Sequence, residues 1–205
     1  MTARLHLLTD AREGRDALGV VAAAVGVGAR IVQVRRKGCT DRELYDFASR
    51  VVRLCDTYGA GCIVNDRIDV ALAVGATGTH LGADDLPVEA ARRLGGSGHL
   101  VGGTARDSRR ATELVAAGAD YLGAGPAYAT ATKGGLPGAL GPDGVAAVAR
   151  AVHVPVIAIA GVTVDRVPEL LAAGAHGVAV VTAVSDAADP AEATRALLRA
   201  LGELP

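Results

Sequence analysis

The chain has 205 residues, a formal net charge of −1, half of its residues apolar and 21% charged. Such a composition supplies a buried core and excludes wholesale disorder, while the near-zero charge excludes a global basic field for nucleic acid or an anionic membrane surface. Three cysteines (Cys39, Cys55, Cys62) without CxxC or Cys/His spacing read as reduced thiols, and the stretches 17–29 and 170–185 are too short and Gly-rich to span a bilayer, so a cytoplasmic location is expected.

Taken in chain order, short apolar runs alternate with helical patterns. A strand is predicted over 5–9 and a helix over 16–25; no basic-then-apolar leader pattern precedes them. Strands follow over 30–34, 61–64, 78–81, 100–103, 121–123, 156–159 and 178–181. The intervening helices are predicted over 41–58, 69–74, 87–94, 108–117, 142–151, 164–173 and 190–201. Thr40-Asp41-Arg42-Glu43 is a capping box, and Asp189-Pro190 puts a capping carboxylate before a proline at the first helical position. The phrases "AVGVGARIVQV", "AVGATGTHLG", "AAGADYLGAG" and "AAGAHGVAVV" each place glycine where a helix ends and a buried strand starts. One unit repeated through the length argues for a single domain over 1–205. Eight strand–helix units imply an α/β fold, a (β/α)8 TIM barrel. A Rossmann fold is the alternative, but no GxGxxG follows the first strand.

In such a barrel the loops after the strands build the active site. The chain's rare residues fall there. Of 21 basic residues only Lys37 and Lys133 are lysine; Asn65 is the sole asparagine and Gln33 the sole glutamine. "VQVRRKG" spaces Gln33, Arg35 and Lys37 by two, which in a strand points them to one side, toward the barrel interior and its top. A guanidinium fork and an ammonium there suit a bound anion. "VNDRIDVA" brings Asp66 to the end of the third strand, and "HLGADDLP" brings Asp84 and Asp85 to the end of the fourth. Two carboxylates on neighbouring strands suit Mg²⁺, although Asp66 could equally cap the next helix, and spacing does not choose between Asp84 and Asp85. His80 reads as a packed strand-end histidine. "GPAYATATKGGLPGALG" (125–141) is a long Gly-rich connection carrying Thr130, Thr132 and Lys133, and its glycines allow backbone amides to approach an anion. After the last two strands, Gly161 and Val181-Thr182 are placed to cradle a monophosphate.

These landmarks together resemble the thiamine phosphate synthase family along almost the full length: "LHLLTD", "VQVRRKG", "VNDRIDVALAVGATGTHLGADDLP", "GADYLGAGPAYATATKGG", "VPVIAIAGVT" and "AAGAHGVAVVTAVSDAADP", in that order. The resemblance implies a transferase that joins hydroxymethylpyrimidine diphosphate to thiazole monophosphate, giving thiamine monophosphate and pyrophosphate. It assigns Gln33, Arg35, Lys37 and Asn65 to the pyrimidine diphosphate, with Thr104 where the family usually has serine. Asp66 and Asp85 match the Mg²⁺ ligands. Thr130 and Thr132 match contacts to the thiazole phosphate, as do Gly161, Val181 and Thr182, and Lys133 matches the lysine on the diphosphate. Arg35, Lys37 and Lys133 would thus be the catalytic cations. His6 stands where an aromatic is common, and Ala160 where the family usually has a second glycine. The loop after Lys133 also departs from the pattern. The implied partners are these two small molecules, with neither nucleic acid nor membrane; oligomeric state is left open. The alternatives are a thiazole tautomerase of the same superfamily, which typically lacks the Asp66 carboxylate and carries histidine for Pro126, and a non-catalytic sensor of phosphorylated ligands.

Overall fold

The structure is a computed structural model, which describes residues 3–10, 12, 14–130 and 138–204. Eight parallel strands close into a barrel in sequence order: β1 (Leu5–Leu8), β2 (Ile31–Val34), β3 (Gly61–Asn65), β4 (Gly78–Leu81), β5 (Leu100–Ala105), β6 (Tyr121–Ala124), β7 (Val156–Ile159) and β8 (Gly177–Val180). Closure comes from β8 returning to β1, with Leu5 opposite Val178 and Leu7 opposite Val180. The expected (β/α)8 architecture is the one formed.

The helices outside are α1 (Ala17–Gly26), α2 (Asp41–Thr57), α3 (Ile68–Ala73), α4 (Val88–Gly95), α5 (Ser108–Ala116), α6 (Gly141–Arg150), α7 (Val167–Ala172), α8 (Thr182–Ser185) and α9 (Pro190–Ala200). The α2 start is the capping box read from sequence: Thr40 Oγ1 accepts from the Glu43 amide at 3.3 Å, and the Thr40 amide donates to Glu43 Oε2 at 2.8 Å. Asp189 accepts from the Glu192 amide at 3.0 Å and starts α9. Two elements differ from expectation. The helix predicted over 164–173 is a 3-10 turn, Val164–Arg166, followed by α7 with Pro168 in its first turn, where a missing N–H costs nothing. The eighth strand ends at Val180, because Val181 (φ −120°, ψ −80°) turns the chain into the short α8, which the periodicity did not reveal.

Strand alternation divides the core in two. Leu7, Val32, Val64, Leu81, Val101, Leu122, Ala158 and Val178 point outward and pack under the helices. Leu8, Ile31, Ile63, Tyr121, Ile157 and Ala179 form the smaller interior core. Glycines make that interior possible. At Gly177, where β8 meets β1, an added Cβ would lie 1.9 Å from the Arg4 carbonyl oxygen. Gly177→Ala therefore forces two backbones apart at the closing seam. It should lower stability by about 3 kcal/mol, read as a large drop in Tm, whereas alanine at Gly26, whose nearest neighbour would be 3.8 Å away, should not lower it comparably.

Candidate functional site

At the C-terminal ends of the strands lies a cavity of about 230 Å³. It is lined by Gln33, Arg35, Lys37, Asn65, Asp66, Asp85, Thr104, Thr130, Gly161, Val181 and Thr182. These are all of the site residues expected from sequence except Thr132 and Lys133, which lie outside the described residues. Leu8, His80, Pro126 and Ile159 complete its apolar and aromatic wall.

Strand period explains the placement. Gln33 is an inward position of β2 and only 3% exposed. Arg35 follows on the same side, and its backbone is fixed by Thr9: the Arg35 amide donates to Thr9 Oγ1 at 2.9 Å, and that hydroxyl donates back to the Arg35 carbonyl at 3.2 Å. β1 thus aims the first cation although its hydrogen-bonded ladder has ended. Lys37 extends further toward solvent, with Nζ 3.3 Å from Asp66 Oδ2.

Asp66 does not cap the following helix. Arg67 occupies the cap of α3 with no side-chain hydrogen bond, and Asp66 adopts a left-handed φ of 67°, turning its carboxyl to the pocket. There it meets Asp85, whose Oδ2 also accepts from the Gly82 amide at 2.6 Å. Burial raises the Asp66 pKa, and sharing a hydrogen bond with Asp85 raises it further, against the pull of Lys37. Burial pushes Asp85 up as well, but the Asp66 hydrogen bond, the Gly82 amide and Lys37 outweigh it and leave Asp85 low. Two facing carboxyls must hold a proton or a cation between them. Asp84 lines the same pocket, so the sequence ambiguity resolves on geometry: Asp85, not Asp84, faces Asp66. No group of three or more His, Cys, Asp and Glu gathers among the described residues. Carboxylate oxygens are the ligand type that a hard divalent cation takes alongside waters and substrate oxygens.

The opposite wall comes from β7 and β8. Ala160 (φ 77°) and Gly161 (φ 65°) are consecutive left-handed residues in the turn after β7, and both line the pocket. A Cβ at Gly161 would stand 2.6 Å from the Ala129 carbonyl oxygen, so glycine is required there. The Gly161 carbonyl accepts from Arg166 Nη1 at 2.5 Å, and that guanidinium stacks 4.2 Å from the Tyr128 ring centroid.

Two features escaped sequence reasoning. One is a network at the barrel seam. Asp10, 6% exposed, follows β1; Arg12 grips it through Nε at 2.9 Å, and Ser185 Oγ on α8 donates to it at 2.7 Å. Arg12 also reaches Asp186 Oδ1 at 2.5 Å, and Arg15 pairs with the same carboxylate. The first loop is thereby tied to the short helix carrying Thr182. "LHLLTD" carried Asp10 in plain view, but its partner Ser185 lies 175 residues away. The other is His80, whose two ring nitrogens both bond to hydroxyls at the pocket floor. Burial lowers its pKa to about 4, so the ring is neutral at pH 7.

The chain matches the family model described as thiamine monophosphate synthase over residues 5–184. It is 60% identical over 201 residues to the thiamine-phosphate synthase of Salinispora tropica, covering 97% of both chains. To that of Salinispora arenicola it is 58% identical, again over 97% of each. The solved thiamine phosphate pyrophosphorylase from Pyrococcus furiosus superposes with a TM-score of 0.88 at 34% identity, over 98% of this chain and 96% of that one.

The seam network has a pH signature. The Arg12 guanidinium holds the Asp10 carboxyl well below the usual carboxylate range, with burial opposing and Ser185 assisting. A depressed folded-state value contributes stability that is fully present above the unfolded value of about 4 and is lost as pH falls below it. Asp10→Asn lacks that contribution. Denaturation at stepped pH should show wild type losing stability more steeply than the variant from about pH 5 downward; parallel curves would count against the network. Ala160→Gly, which relieves a left-handed residue carrying a Cβ, should raise Tm, corresponding to about 1 kcal/mol.

Proposed function

This chain belongs to the thiamine monophosphate synthase family, and from that premise we propose how its barrel mouth forms thiamine phosphate. The observation that carries the reading is the union, in one cavity, of a cation and carboxylate wall from β2–β4 with a wall of Gly161, Val181 and Thr182 from the ends of β7 and β8. The first suits a diphosphate and the second a monophosphate. Two phosphorylated substrates can therefore meet over the apolar floor.

The substrates in this reading are 4-amino-2-methyl-5-hydroxymethylpyrimidine diphosphate and 4-methyl-5-(2-phosphoethyl)thiazole. Gln33 and Asn65 orient the pyrimidine diphosphate, and Thr104 contacts it from the floor. Arg35 and Lys37, with Lys133 from the connection after β6, neutralise the diphosphate. Asp66 and Asp85 would hold Mg²⁺, which would supply charge neutralisation to the leaving diphosphate. The carbon–oxygen bond breaks with its electron pair leaving on pyrophosphate, and the aminopyrimidine delocalises the methylene cation. Thr130, Thr132, Gly161, Val181 and Thr182 hold the thiazole phosphate so that the thiazole nitrogen donates its lone pair to that carbon. Catalysis here is positioning plus stabilisation of a departing anion, so no protein nucleophile is needed. Asp66 and Pro126 both line the cavity, which favours the synthase over the tautomerase alternative. The facing carboxylates likewise favour catalysis over a non-catalytic sensor. No helix among the described residues is long and apolar enough to cross a membrane, which accords with a cytoplasmic enzyme on small-molecule substrates.

Purified protein given both substrates should release thiamine monophosphate and pyrophosphate with Mg²⁺ and lose that activity with EDTA. Absence of product from the complete mixture would end the proposal. Lys133→Ala should lower kcat by about 100-fold with Tm unchanged, since one donor to a developing anion contributes on that scale; unchanged turnover would remove Lys133 from the mechanism.

A further inference from the structure

Beneath the cavity runs a hydrogen-bonded chain in which the reaction scheme uses Thr104 but neither His80 nor Tyr121. The His80 ring stands between two hydroxyls, with Nδ1 3.0 Å from Tyr121 Oη and Nε2 3.0 Å from Thr104 Oγ1. Tyr121 is 1% exposed, and its ring centroid lies 5.2 Å from that of His6 and 5.5 Å from that of His80. Glycines shape the space around the rings. A Cβ at Gly102 would fall 2.2 Å from the Tyr121 ring, and one at Gly123 would fall 3.0 Å from His80 Cε1.

A neutral imidazole carries one N–H, so the chain has two possible directions. With the proton on Nδ1, His80 donates to Tyr121 Oη, and the tyrosine proton must find another acceptor. Among the described residues His80 is the recorded hydrogen-bond partner of that hydroxyl. The nearby His6 Nε2 makes no hydrogen bond. A buried donor left unpaired costs about 1–3 kcal/mol. Thr104 would in that case donate to Nε2 and face the cavity with lone pairs alone. With the proton on Nε2, Tyr121 donates to Nδ1 and Nε2–H donates to Thr104 Oγ1. The Thr104 proton then turns away from His80, toward the cavity, and every donor in the chain is placed. The second direction is the favourable one.

We propose that Tyr121 and His80 are positioning residues that fix the Nε2–H tautomer and so present Thr104 to the substrate as a hydrogen-bond donor. Its partner is an acceptor atom of the pyrimidine diphosphate, a ring nitrogen or a phosphate oxygen. The identity of that ligand rests on the synthase reading; the tautomer does not.

Nitrogen-15 NMR of the histidine side chains in the free protein, with the His80 signals identified by their loss in His80→Gln, reads the tautomer directly. A hydrogen-bearing Nε2 is expected, and a hydrogen-bearing Nδ1 overturns the proposal. Tyr121→Phe removes the donor to Nδ1 and should populate both tautomers. It should raise KM for the pyrimidine diphosphate about 5–10-fold, the worth of one hydrogen bond, with KM for the thiazole phosphate unchanged. His80→Leu should raise the same KM, and His80→Gln, whose carboxamide accepts from Tyr121 and donates to Thr104, should rescue it to near the wild-type value. Residues acting only as packing would change Tm in these variants without that split or that rescue, a result that also overturns the proposal. Binding of hydroxymethylpyrimidine alone and of inorganic pyrophosphate alone to Tyr121→Phe names the acceptor by which affinity falls; a fall in neither contradicts the proposal. A wild-type protein that made no thiamine phosphate would strike the ligand while leaving the tautomer measurement to stand on its own.

Discussion

Every functional side chain here depends on one geometric constraint, the two-residue period of a strand in a sheet that closes on itself. Once β8 pairs with β1, no strand can slip by one residue without sending its outward valines and leucines into the barrel and its inward groups under the helices. The outward set is large and apolar, so the helices enforce the register. Gln33, Asn65 and Thr104 occupy inward positions at the strand tops, and they reach the cavity because the hydrophobic surface on the other face leaves the strands no alternative. The energetics of burial thus aim polar groups that themselves contribute little to folding.

The interior obeys a second rule, that volume must be filled. Tyr121 is the largest fully buried side chain, in a chain with very few aromatics. It sits where glycines on β5 and β6 withdraw. Filling the lower barrel with a phenol rather than a branched aliphatic buries a hydroxyl away from bulk solvent, and a buried hydroxyl needs a partner. His80 satisfies it, and the second nitrogen of the same ring carries the requirement upward to Thr104. A packing decision at the bottom of the barrel therefore bears on hydrogen-bond polarity at its mouth. Above, the site works against stability. Asp66 accepts a left-handed backbone and a like-charged neighbour, and such strain and repulsion gather where a ligand relieves them.

The architecture was legible because its signals are local and repeated. At most helix-to-strand joins a glycine and the apolar run that follows it lie side by side in sequence, so all eight strands were placed within one or two residues. The residues around the cavity were legible for a related reason: scarcity. The sole Gln, the sole Asn and one of two lysines stand at strand ends. What escaped depends on distant partners. Asp10 acquires meaning only when closure brings Ser185 to it and Asp186 to Arg12, and His80 looked like packing because Tyr121 and Thr104 follow it by 41 and 24 residues. Asp66 faces Asp85 from a left-handed backbone conformation, which residue spacing alone does not announce.

The seam between β1 and β8 shows how closely closure and chemistry are joined. The first loop and the last must approach for the barrel to close, and the groups that meet there are Asp10, Arg12 and Arg15 from one side and Ser185 and Asp186 from the other. Ser185 ends the same four-residue helix that begins at Thr182. So short a helix has little intrinsic stability and takes its position from what grips it. Loosening the seam therefore acts twice, on the closure of the barrel and on the wall of the cavity that faces the carboxylates. For that reason the residues that complete the fold and those that set out the monophosphate side of the pocket cannot be varied independently, even though none of the seam charges points into the cavity centre.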